Sequence, residues 1–185
     1  MSDSNIGGEA SILEERRRKL DELRKANIAY VNNFIPSEKA KELHDSYGHH
    51  SKEELEEKKI INLSIAGRIV LKRVMGNASF VTIRDGSGDI QAYISKNNVD
   101  PDLYKNFKSW DLGDIIGISG NLFKTKTEEL TVEAHAITLI TKSLRPMPEK
   151  HKGLADIEIK YRQRYLDLMS NPESQEVFRK RSQIV

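Results

Sequence analysis

Arg73, Phe80, Gln91 and Glu129 are the residues of this chain best suited to chemistry with a flat, hydrogen-bonding ligand. In the string Phe80-Val81-Thr82-Ile83-Arg84, alternation puts Val81 and Ile83 on one face and Phe80, Thr82 and Arg84 on the other. A large aromatic on the polar face exposes apolar area unless something covers it. Ile90-Gln91-Ala92-Tyr93-Ile94 repeats the pattern, with Gln91 and Tyr93 outward. An outward aromatic can stack on a nucleobase, at ~1–3 kcal/mol per base. It can equally pack beneath a loop or the N-terminal helices, and periodicity leaves the two readings even. Gln91 both donates and accepts, which matches the O4/N3–H edge of uracil. Arg73 could lay its guanidinium on a base or grip a phosphate bidentately. Its strand is long enough to carry a bulge, so alternation does not settle its direction. Glu129 follows the basic run Lys124-Thr125-Lys126-Thr127. Phosphates repel a carboxylate, so beside a nucleic acid its use is to accept a hydrogen bond from a base N–H.

Other chemistry is poorly served, and the sequence predicts no catalytic residue and no metal site. His44, His49 and His50 lie close together, but further ligands at metal spacing are absent and solvated histidines are the better reading. Gly86-x-Gly88 joins two strands and lacks the helix N-terminus that would hold a phosphate. There is no Ser-His-Asp set, zincin motif or Walker sequence, and the acidic pairs Glu56-Glu57 and Glu128-Glu129 read as surface charge. Arg16-Arg17-Arg18-Lys19 invites contact with an RNA backbone. Glu14, Glu15, Asp21 and Glu22 sit at helical spacing around it, so a paired, solvated helix face is favoured.

The elements that must position these residues are legible. Ile12, Leu13, Leu20 and Leu23 give Glu9–Asn27 the stripe of an amphipathic helix. An extended piece, 29–35, ends at Pro36. Ser37 is expected to cap a short helix to about Tyr47, ended by Gly48, and Ser51 with Glu54 reads as a capping box for another to about Lys59. The period then becomes two. Strands are predicted over Ile61–Met75, with a possible bend at Gly67, then Ala78–Asp85, Asp89–Ser95, Ile115–Lys124 and Leu130–Thr141. A helix, Pro101–Ser109, falls between the third and fourth. Arg145-Pro146-Met147-Pro148 is a linker. Ile157–Met169 is helical, and Pro172 opens a last helix. This order is α+β, mainly β: a five-stranded OB-fold barrel with N-terminal helices and a C-terminal helical linker. The expected division is a helical extension over 1–60, the barrel over 61–144, and a linker with the start of a further domain over 145–185.

Composition is consistent with this plan. At 185 residues there is room for one ordinary domain with appended helices, and 31% charged residues make the chain surface-rich. No apolar run approaches the ~20 residues that cross a bilayer, and the start is unlike a signal peptide, so no membrane partner and a cytoplasmic setting are expected. Zero cysteines exclude disulfides and thiolate metal sites. The net charge of +2 hides an asymmetry. Residues 1–60 carry 11 Lys+Arg against 13 Asp+Glu, and the remainder 19 against 15, a mild lean toward a polyanion.

From Leu63 to Val185, and more loosely back to the N-terminal helix, the sequence resembles bacterial-type class II lysyl-tRNA synthetases. The resemblance is carried by RPMPEKHKGLADIEIKYRQRYLDL (Arg145–Leu168), by NASFVT (Asn77–Thr82) and by LFKTKT (Leu122–Thr127). It implies that Arg73, Phe80, Gln91 and Glu129 contact the anticodon of the tRNA for lysine, whose middle base is uracil. Glu128 departs from a position where the family often has glycine. The resemblance further implies a homodimeric parent enzyme that uses ATP and Mg²⁺. Its catalytic motifs are expected beyond Val185, so this stretch needs no cofactor and is inactive alone. The alternative is a general single-strand-binding OB-fold protein, which would carry several exposed aromatics and little base preference.

Overall fold

A computed structural model describes residues 3–58, 60–147 and 157–185, with backbone alone for 3–7. The elements run α1 (Asp3–Lys25), α2 (Ala40–Tyr47), α3 (Lys52–Lys58), β1 (Leu63–Met75), β2 (Ala78–Arg84), β3 (Asp89–Ser95), α4 (Pro101–Ser109), β4 (Ile115–Lys124), β5 (Leu130–Thr141), α5 (Ile157–Arg162), α6 (Arg164–Ser170) and α7 (Pro172–Ile184). Two compact units result, Met1–Arg145 and Pro146–Val185. Pro148 of the predicted linker, Lys59 at the end of the third helix and residues 149–156 of the resembling string lie outside the described residues.

Alternating apolar residues make the strands, and the strands make the barrel. Neighbours pair in the order β1-β2-β3-β5-β4, and β4 returns to β1, which closes the sheet. All pairings are antiparallel except β3 with β5, which is parallel through Gln91↔Thr131, Ala92↔Val132 and Tyr93↔Glu133. Val81, Ile83, Ile90, Ala92, Ile94, Ile116, Ile118 and Val132 turn inward and are buried. Helix α4 adds Tyr104 and Phe107 to this core. Its start is capped by the Asp100 carboxylate, which accepts from the Asp102 and Leu103 amides.

In β1 the register slips between Ile69 and Leu71, a bulge that reverses the alternation. Ile65 and Ile69 are buried, whereas Leu71, Arg73 and Met75 emerge on the outer face. Lys72 takes the inward direction instead, where its ammonium donates to the carbonyls of Phe107 (2.8 Å), Lys108 (3.0 Å) and Trp110 (2.8 Å). It thereby satisfies the last carbonyls of α4. The tyrosine hydroxyl of Tyr104 pairs with buried Ser79 (3.0 Å) and donates to the Gly76 carbonyl (3.2 Å), so α4 braces the β1–β2 hairpin at two points. Gly76 has φ +62, which suits glycine in the tight turn.

The N-terminal helices depart from expectation in instructive ways. Helix α1 begins at Asp3, earlier than the predicted Glu9. Ser37 does not cap α2. Its amide donates to the Ser64 hydroxyl (2.9 Å) and its own hydroxyl accepts from the Ser64 amide (3.0 Å), which holds the extended piece against β1. The first amides of α2 are taken by the β2–β3 turn: Ala40 donates to Asp85 (2.8 Å) and Lys41 to Ser87 (3.0 Å). The Ser51–Glu54 capping box forms reciprocally, at 2.8 and 3.2 Å. Phe34 of the extended piece lies where a Cβ on Gly117 would be, with a ring atom 2.6 Å from it, so a larger residue at 117 would have to displace that ring.

Two residues of the basic run on α1, Arg16 and Lys19, are tied into the fold. The Arg16 guanidinium is buried and donates to the carbonyls of Ser143 (3.3 Å) and Arg145 (3.0 Å), while Lys19 binds Asp111 at 3.1 Å. Arg18 pairs with Glu22 at 2.6 Å on the solvated side. Beneath them Lys142 bridges Asp111 (2.5 Å) and fully buried Asp114 (2.7 Å). In the second unit the predicted helix 157–169 is broken at Gln163 (φ −123°, ψ 61°). The Arg164 guanidinium then lies between the rings of Tyr161 (4.9 Å) and Phe178 (5.2 Å) and pairs with Asp167 at 2.7 Å.

Candidate nucleic-acid interface

Arg73, Phe80, Gln91 and Glu129 line one cleft of about 400 Å³, together with Met75, Thr125 and Thr127. Each arrives from a different element: Arg73 and Met75 from the end of β1, Phe80 from β2, Gln91 from β3, and the remainder from the β4–β5 hairpin. The bulge in β1 settles the direction that sequence alternation left open. Arg73 is the cross-strand partner of Phe80, so both side chains rise from the same face. Phe80 lies half-buried on that outer face, and none of the N-terminal helices contributes a residue to the cleft.

The outer face of the sheet is a small grid. Phe80 stands beside Tyr93, its register partner, with ring centroids 5.1 Å apart and planes tilted by 51°. Tyr93 in turn meets Phe123 of β4 edge-on, at 6.3 Å. Gln91 and Thr131 are register partners across the β3–β5 pair, and the Gln91 amide donates to the Thr131 hydroxyl at 2.9 Å. The resulting surface joins a row of π-faces to an adjacent patch of fixed polar groups, which suits a flat heteroaromatic ring.

Two unlike charges face the cleft. Arg73 and Glu129 are both exposed, and among the described residues neither has an ion-pair partner. Each therefore keeps its hydrogen-bonding capacity for a ligand. The hairpin that carries Glu129 is fixed locally: the Thr125 amide donates to the Glu129 carbonyl (3.1 Å), and the Glu129 amide donates back to the Thr125 hydroxyl (3.2 Å). Glu128 sits in this turn at φ 60°, the left-handed conformation that favours glycine. The turn is thus made despite the side chain, at a conformational cost of about 1 kcal/mol. Lys124 is not a free cation of the site, because its ammonium donates to the Gly48 carbonyl (3.1 Å) and pairs with Glu128 at 3.5 Å.

Met75, Thr125, Thr127, Phe123 and Thr131 also build this surface, and sequence reasoning gave none of them a role. Phe123 and Thr131 had a usable signal, since both share the outward parity of their strands. Met75 had none, because its direction depends on the bulge. The histidines serve elsewhere. The His44 ring pairs with the Asp89 carbonyl (3.0 Å), and His50 contacts Lys58 and lies 4.4 Å from the His49 ring. Among the described residues no cluster of three or more histidine or acidic side chains could hold a metal ion, and no helix is long and apolar enough to cross a membrane.

Comparison with known proteins places this geometry in context. Residues 63–140 match the family described as an OB-fold nucleic acid binding domain. Over 177 residues, 96% of the chain, the sequence is 54% identical to a lysine–tRNA ligase of Chromobacterium violaceum, of which it covers 35%. It is 52% identical to the lysine–tRNA ligase of Dechloromonas aromatica over the same shares. With that of Dichelobacter nodosus it shares 50% identity over 182 residues, 97% of the chain and 36% of the relative. The chain thus spans about a third of the length of the curated relatives it matches.

Proposed function

We propose that the chain is the corresponding stretch of a lysine–tRNA ligase, to which it is 54% and 52% identical in two relatives, and that its barrel recognises the anticodon loop of the tRNA for lysine. The observation that carries this reading is the convergence of Arg73, Phe80, Gln91 and Glu129 on one cleft. In it the Phe80 ring stacks on the middle anticodon base. Gln91 and Glu129 meet that base's hydrogen-bonding edge, and Arg73 adds a stacked or phosphate-directed cation. The parent reaction is the ligation of L-lysine to its tRNA, coupled to cleavage of ATP to AMP and diphosphate. The chemistry with ATP and Mg²⁺ is assigned to the other two thirds of the ligase. The parent enzyme is read as a homodimer.

Uracil is expected to be preferred over cytosine at the middle position, because cytosine reverses the donor–acceptor order and leaves polar groups unpaired. Fluorescence anisotropy at fixed salt, with stem-loops differing only at that base, measures this. Arg73→Ala is expected to weaken both stem-loops and to flatten the salt dependence. A second reading is favoured by the continuous row Phe80–Tyr93–Phe123, which would suit a general single-strand binder. Equal affinities for the two stem-loops would select it.

A further inference from the structure

Thr131 lies beneath the cleft with no exposed surface, and its one hydroxyl proton is already committed. The hydroxyl donates to the carbonyl of Glu129 at 3.0 Å. A carbonyl oxygen cannot donate, so the direction of that bond is fixed by chemistry. The same hydroxyl oxygen stands 2.9 Å from the Gln91 amide and can therefore only accept from it. Nitrogen rather than oxygen of the Gln91 amide must face Thr131. One N–H is spent there, and the amide oxygen and the remaining N–H are left for the cleft.

We infer that Thr131 sets base specificity at this site by holding the Gln91 amide in one of its two orientations. The inference rests on the anticodon-reading function proposed above. A free glutamine amide can turn over to suit either pattern, presenting its donor and acceptor in one order to uracil and in the opposite order to cytosine. Held by Thr131, it presents one order. To turn over, it would bring the amide oxygen against a hydroxyl oxygen with no proton between them. Thr131 could relieve that clash only by withdrawing its proton from Glu129, whose carbonyl also anchors the hairpin through the Thr125 amide at 3.1 Å. The selected order is then built into the protein before any RNA arrives, and a base of the wrong pattern leaves a donor and an acceptor unpaired.

The test compares the uracil-to-cytosine affinity ratio of the 185-residue chain with that of two variants, using the paired stem-loops at fixed salt. Thr131→Val keeps the shape and removes the hydroxyl, and Thr131→Ser keeps the hydroxyl. Thr131→Val is expected to lower the ratio by about tenfold through improved relative binding of the cytosine loop, and Thr131→Ser to retain it. A folded Thr131→Val with the wild-type ratio, including one that binds both loops more weakly in equal proportion, overturns the inference while leaving the anticodon reading standing. A wild-type chain with no preference overturns that reading and this inference with it. Should Thr131→Val not fold, the wild-type chain decides by NMR. One Gln91 side-chain amide proton is expected to exchange with solvent about tenfold more slowly than those of exposed Gln183. Equal exchange overturns the lock.

Discussion

Phe80 and Val81 are neighbours with opposite surroundings, and truncation to alanine at each separates binding from stability. Val81 is 1% exposed inside the barrel, whereas Phe80 is half-buried on the cleft face. Phe80→Ala is expected to weaken stem-loop binding by about 1–3 kcal/mol with a small change in melting temperature. Val81→Ala is expected to cost roughly 2 kcal/mol of stability and to spare the affinity of the folded chain. Anisotropy titrations and thermal melts of both variants check the pair; a large melting shift for Phe80→Ala with unchanged affinity would place the ring in the core. Alternation made this contrast legible, because β2 itself keeps strict period two. Arg73 was legible only as a residue type. One extra residue in β1 decides its direction, and nothing in the string Gly67–Met75 marks where that residue falls. Thr131 was hidden for a different reason, since its role depends on a partner forty positions away.

Among the elements, α1 shows how a basic run can be spent within the protein. Its anchor is the set Arg16, Lys19, Asp111, Lys142 and Asp114, with Leu20 buried alongside. Burial would raise the Asp111 carboxyl, but hydrogen bonds from Lys142 and Lys19 outweigh it and hold the group below its ordinary value of 3.8. A carboxyl depressed by folding stabilises the folded state above its unfolded value, and that contribution fades as pH falls through the lower folded value. The protection of α1 amides, relative to the exchange of an unfolded chain at the same pH, is therefore expected to fall on acidification below about pH 4 before that of the barrel strands. Asp111→Asn is expected to show the loosened helix already at neutral pH. Exchange in α1 that tracks the barrel at every pH would remove this cluster as the anchor. The existence of α1, the capping box of α3 and all five strands could be read from periodicity. The capping of α2 by Asp85 and Ser87 could not, because those groups come from a turn forty-five positions later. The break at Gln163 also has no sequence mark, since the residues around it are ordinary helix formers.

At the scale of the molecule, the two units Met1–Arg145 and Pro146–Val185 fit a proposed division of labour, with recognition in the first and a linker plus the start of a catalytic region in the second. The 185-residue chain by itself is expected to form no lysyl-adenylate. Lysine-dependent exchange of labelled pyrophosphate into ATP by the purified chain would contradict that assignment. The barrel's class was legible from the succession of three strands, a helix and two strands, since few topologies accept it. Its strand partners were not, because period two reveals that a segment is a strand without naming its neighbour.

The parallel pairing of β3 with β5 also orders events in time. β1, β2 and β3 follow one another through short turns and can meet early, whereas β5 reaches β3 only after α4 and β4 have been placed. β5 is the last strand of the barrel in sequence, so in a chain that emerges from its N-terminus this seam is expected to close last. Gln91 lies on one side of it and Thr131 with Glu129 on the other. On the ribosome, a nascent chain that has extruded β1–β3 already owns Phe80 and Arg73, yet it has an open strand edge where the reader should be. Under the proposed anticodon reading, discrimination between bases begins only with the closing of the seam, because Gln91 and Glu129 are brought together there.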